Sequence, residues 1–130
     1  MSLPKTKLWS WHVIAGALLL VLVGLHMAMM HLNGILNLVG YNPYSDDPIA
    51  WANVVFRTQQ ISFVVIYVLV LAAGLFHGLY GTRTILFELN PSPGLRSLIT
   101  WVFLVVGVGL FIFGSWAAIA SHATALALSQ

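Results

Sequence analysis

The sequence predicts an all-α membrane protein with three transmembrane helices. Three apolar runs and a near-absence of charge carry that reading. Of 130 residues, 60% are hydrophobic and only 6% charged, whereas about a quarter of a soluble domain's residues are charged. A helix needs about 20 apolar residues to cross a bilayer core. Runs at 9–31, 60–86 and 98–120 reach that length, and the chain reads as one membrane domain over residues 1–130.

The first run carries Trp9 and Trp11 at its start, and indoles favour the headgroup belt. Lys5 and Lys7 before it give the look of a signal peptide. The run is too long for a signal h-region of about 7–15 residues, so a retained helix is expected. The stretch NGILNLVGYNPYSDDP ends this span. Asn33-Gly34 and Pro43 are its breakers, and Asp46 and Asp47 must stay wet. Residues 51–57 read as a short interfacial helix leading into span two. That span ends before ELNPSPG, where two prolines and a glycine force a turn. Trp101 and Trp116 bracket the third span, and the tail SHATALALSQ reads as interfacial.

With three spans, the N-terminus and second loop share one side and hold Lys5, Lys7, Arg83 and Arg96 against Glu88. The first loop holds Arg57 against Asp46 and Asp47. The positive-inside rule then expects a cytoplasmic N-terminus and an outside C-terminus, in a prokaryotic plasma membrane. The chain has no cysteine, which excludes disulfides, CxxCH haem attachment and iron–sulfur ligation. It has no phosphate loop, dinucleotide fingerprint or zinc motif. Its net charge of +2 is dispersed, which argues against nucleic-acid binding.

Two histidines lie inside spans: His26 in LLLVLVGLHMAMMH and His77 in VLVLAAGLFHGLYGTR. An ionisable group there is costly and marks a partner or a task. Imidazole suits haem iron. Their expected depths differ by about 15 Å, so one haem does not bridge them. Two haems fit, each with one ligand from this chain and one from another, which makes this a half-site completed by a partner. His12 leaves an internal alternative, since it lies near His77 in depth. Its place beside Trp9 and Trp11 favours a headgroup, propionate or quinone contact. Polar helix–helix contacts are the plain alternative for all three, and His31 and His122, at span ends, read as interfacial. Gly16, Gly24, Gly74, Gly78 and Gly81 allow close packing or leave room for a macrocycle. Gly107, Gly109 and Gly114 read as packing. Arg83 stands either as a propionate partner or as a topology charge, and Arg57 has the equivalent outer position.

The segment HGLYGTR resembles the H-x3-G-x-R pattern of the membrane-anchor subunits of succinate dehydrogenase and fumarate reductase, respiratory complex II. WHVIAGALLLVLVGLHMAMMH, FRTQQISFVVIYVLVLAAGLFHGLYGTRTILFEL and LRSLITWVFLVVGVGLFIFGSW resemble its three anchor helices in order. The likeness covers most of the chain and is nearest to the small D-type anchor of dihaem enzymes, or to the second half of a fused five-helix cytochrome b. It implies haem b, two per complex, with His26 on the outer haem and His77 on the inner one. It implies a companion anchor, an iron–sulfur subunit and a flavoprotein subunit that hold the clusters and FAD, and a membrane quinone. Many D-type anchors carry Asp-Tyr after the second helix. Here Glu88-Leu89 stands there, which turns the expectation from a standard ubiquinone site toward menaquinone, or toward a site formed mainly by partners. The rival readings are a haem b anchor of another membrane oxidoreductase and a non-redox assembly or transport subunit.

Overall fold

The computed structural model describes residues 3–31 and 49–128, with side chains from 7–28 and 49–128. Among these residues the chain forms α1 (Leu3–His31), α2 (Trp51–Thr58), α3 (Ile61–Glu88) and α4 (Pro93–Ala127). Three of the helices are long and apolar enough to cross a membrane, and the protein is a multi-pass, all-α membrane protein. The loop breakers Asn33, Gly34 and Pro43 and the carboxylates Asp46 and Asp47 lie outside the described residues.

Each long helix exceeds its expected bounds at one or both ends. Pro4 sits in the first turn of α1, where its missing N–H is no loss. The α3–α4 link needs only Leu89 to Ser92. Asn90 takes φ 53° there, a left-handed conformation that asparagine tolerates. Ser92 caps α4 by accepting from the Leu95 N–H at 3.4 Å, with Pro93 at the first position. At the other end the tail expected to be interfacial continues α4 to Ala127. Alanine and leucine dominate that stretch, both strong helix formers, and no glycine or proline interrupts it.

The central helix is α3. It packs α1 on one side and α4 on the other, and α1 does not pack against α4 among the described residues. The contacts are built from small residues: Ala15, Val64, Ala73 and Ala125 are the buried apolar positions. Large side chains point outward, as with Leu20 at 78% exposure. Lipid is as apolar as leucine, so helices in a bilayer gain by close backbone approach rather than by hiding leucines. Two leucines of α3 show this. Leu79 Cδ1 lies 2.7 Å from where a Cβ at Gly107 would be, and Leu71 Cδ2 lies 2.6 Å from that of Gly114. Four threonine hydroxyls are satisfied within their own helices, while Ser115 Oγ is buried without a partner among the described residues. Thr82, Thr84, Thr100 and Thr124 each donate to the carbonyl four residues back at 2.8–2.9 Å, as a medium without water requires.

The expected short helix is α2. It packs against α3 and α4. His122 Nδ1 bonds the Thr58 carbonyl at 2.7 Å, and Gln59 donates from Nε2 to the Ala125 carbonyl at 3.0 Å. The end of α4 that extends beyond the expected span is thereby tied down.

Candidate functional site

Where α1 meets α3, two His-x3-Gly segments face each other: His12–Gly16 and His77–Gly81. The helices run antiparallel, so each histidine meets the other's glycine. The His77 ring rests on Gly16, with Cε1 2.7 Å and Nδ1 3.0 Å from the position of an added Cβ. The His12 ring rests on Gly81, with Cε1 3.1 Å from the equivalent position. Only a residue without a side chain lets a helix come this close to an imidazole face. Between these seats the two rings stack, with centroids 4.1 Å apart and planes 5° from parallel. Tyr80 leans on His12 at 5.2 Å and stacks on Phe76 at 5.6 Å.

A hydrogen bond sets the tautomer of His77. Its Nδ1 lies 3.0 Å from the His12 backbone carbonyl oxygen. That oxygen can only accept, so Nδ1 carries the proton and Nε2 of the neutral ring keeps its lone pair. Iron-ligating and zinc-ligating histidines are held in this way, with one ring nitrogen anchored to a carbonyl and the other free to coordinate. His12 Nδ1 is buried and has no hydrogen-bond partner among the described residues.

The structure brings His12 and His77 together, but not as two ligands of one iron. Axial imidazoles stand edge-on to the metal, on opposite faces of the macrocycle. Rings face to face at 4.1 Å leave no room for a macrocycle between them. His26 is exposed and lies about 21 Å along α1 from the level of the stack, at ~1.5 Å per residue. Two axial nitrogens of one iron are only a few ångström apart, so His26 and His77 serve different centres if both ligate. Among the described residues no three His, Cys, Asp or Glu side chains gather around one point. The donor set is therefore not that of a closed structural metal site. Haem iron differs in needing only one or two protein nitrogens.

The arginines stand elsewhere. Arg83 projects about 120° around α3 from His77, at 3.6 residues per turn. It donates from Nε to Thr100 Oγ1 at 3.0 Å and lies over the Phe87 ring, 4.2 Å from its centroid. It does not converge with His77. Arg57 is 5% exposed, enclosed by its own chain near the α2–α3 junction. His122 serves the α2–α4 tie, and nothing is described of the His31 side chain. Sequence reasoning treated Gly16 and Gly81 as general packing positions and passed over Thr100 and Phe87. The repeated His-x3-Gly spacing was the available signal for the two glycine seats.

The succinate dehydrogenase hydrophobic membrane anchor subunit of Archaeoglobus fulgidus is 26% identical to this chain over 113 residues, covering 87% of each. No family model and no solved structure matches.

Proposed function

We propose that this chain is a haem b-binding membrane anchor of a succinate:quinone oxidoreductase, helping electrons pass between an iron–sulfur subunit and membrane quinone. The observation that carries the reading is His77, with Nδ1 bonded to the His12 carbonyl and Nε2 left to coordinate. The name of the archaeal relative and the three apolar helices support the same conclusion.

His77, through Nε2, would hold one haem and His26 a second, with a companion anchor supplying further ligands. Bound haem supplies a one-electron iron couple. The residues of this chain bind and orient. The His12 carbonyl fixes the tautomer of His77, the His12 ring and Gly16 fix its plane, and the apolar helices exclude water. Dicarboxylate chemistry belongs to a flavoprotein partner with FAD, and the clusters to an iron–sulfur partner. The quinone is menaquinone, in keeping with Glu88-Leu89 where a phenol is common in other anchors. The N-terminus is cytoplasmic by the positive-inside rule.

The test is haem stoichiometry. The intact complex is purified in mild detergent, and haem b per copy of this chain is measured by pyridine haemochrome. Two haems are expected, and His77→Ala and His26→Ala should each lose one, with a different low-spin signal missing in each. Retention of both signals in both variants overturns the ligand assignment.

A further inference from the structure

A second feature lies beside the stacked histidines, with Tyr80 between the two. A groove of about 580 Å³ runs between α3 and α4, with Leu8 of α1 at its rim. Its polar residues, Tyr80, Arg83 and Thr100, stand at one end, and Ala72 and Phe111 close the other. From this groove we infer that the chain holds one anionic phospholipid, with an acyl chain between α3 and α4 and the phosphate at Arg83 and Arg96. The inference does not depend on haem binding.

Length is the first argument. From Arg83 to Ala72 the groove runs about 17 Å at ~1.5 Å per residue. One leaflet contributes about 15 Å of a ~30 Å hydrocarbon core. Ala72 and Phe111 sit near the midpoints of α3 (Ile61–Glu88) and α4 (Pro93–Ala127). The groove therefore spans one leaflet, from the headgroup level to the bilayer centre. A partner helix crossing the whole core would need a groove through both halves.

Charge is the second. Arg83 and Arg96 both approach the Phe87 ring, with Cζ 4.2 and 5.4 Å from its centroid. Arg83 uses Nε on Thr100, leaving both Nη groups. Arg96 uses Nε on the Pro91 carbonyl and Nη2 on Asn90 Oδ1, leaving Nη1. Neither makes an ion pair with a carboxylate among the described residues. Two guanidinium groups brought to one ring beside a low-dielectric medium repel each other, and a phosphate between them turns that repulsion into charge-assisted hydrogen bonds. A quinone tail fits the apolar slot but leaves both cations unneutralised.

The test uses the full chain with its partners, purified in mild detergent, delipidated, and exposed to vesicles of phosphatidylglycerol or phosphatidylcholine. Native mass spectrometry then counts retained phospholipid. One tightly held phosphatidylglycerol per chain is expected, preferred over phosphatidylcholine. Arg83→Gln combined with Arg96→Gln should lower that preference about tenfold or more. Val108→Trp, which fills the groove and leaves the arginines in place, should reduce retention of both lipids. Equal retention of the two lipids by the wild-type chain overturns the proposal, whether or not any variant folds. So does an isoprenoid quinone found in place of lipid, or a protein captured by a photo-crosslinker at position 108. Haem is assayed on the same samples, so failure of the haem reading leaves the lipid result independent.

Discussion

His77 donates its Nδ1 proton to the backbone carbonyl of His12 at 3.0 Å while the two rings stack 4.1 Å apart. The His77 ring is thus fixed by the backbone of one neighbour and by the absence of a side chain at another, Gly16. Main-chain anchoring has a consequence. Replacing His12 removes its ring but leaves the carbonyl that sets the tautomer of His77.

Substitution at His12 should therefore separate the two contacts. His12→Phe keeps an aromatic face against His77, and His12→Ala keeps neither face nor volume. Haem bound at His77 should survive in both variants. Its low-spin resonance and midpoint potential should move more in His12→Ala than in His12→Phe. Complete loss of that haem in His12→Phe would make His12 a ligand rather than a positioning residue.

The glycine seats should rank by their clearances. A Cβ at Gly16 meets His77 at 2.7 Å, and one at Gly81 meets His12 at 3.1 Å. Gly16→Ala should cost about 1–3 kcal/mol by overpacking, and Gly81→Ala less. Gly24 and Gly78 have nothing within 4 Å of an added Cβ. Alanine at either should be neutral or stabilising, by up to about 1 kcal/mol of helix propensity. Thermal unfolding in detergent orders the four, and an equal response at all of them refutes the clearance argument.

On the other side of α3, Gly114 and Leu71 form one unit. Gly114→Ala places a Cβ 2.6 Å from Leu71 Cδ2 and should destabilise by about 1–3 kcal/mol. Shortening the opposing side chain with Leu71→Ala should recover much of that loss. A double-mutant cycle reads the coupling, expected at about 0.5–3 kcal/mol for residues in contact. Additive effects would mean that the contact is not made.

The α2–α4 tie predicts a local effect. His122→Ala removes the 2.7 Å bond to the Thr58 carbonyl, and Gln59→Ala the 3.0 Å bond to the Ala125 carbonyl. Hydrogen exchange should quicken in Trp51–Thr58 and in the last turns of α4, with the α1–α3 contact unchanged. Faster exchange spread over all the helices would assign His122 a global role instead.

Hydropathy and length determined the three spans, because a bilayer demands long apolar helices whatever their neighbours; proline and glycine marked the turn within ELNPSPG, of which the structure keeps only Leu89–Ser92 outside the helices. The same reasoning marked His26, His77 and His12, since an ionisable side chain in an apolar run stands out without any structure. It left Arg83 divided between a propionate and the membrane surface, and it gave no helix to the tail after residue 120, where alanine and leucine carry α4 on to Ala127. Tertiary structure decided the rest. Which way each helix turns about its own axis depends on which glycine receives which side chain from the neighbouring helix. Gly16 and Gly81 take imidazoles, and Gly107 and Gly114 take leucines. That rotation stacks His12 on His77 and turns Arg83, about 120° away around α3, toward α4, where Thr100 receives it. Spacing along a single helix fixes angles only relative to its own residues, so these pairings emerge only when the helices pack.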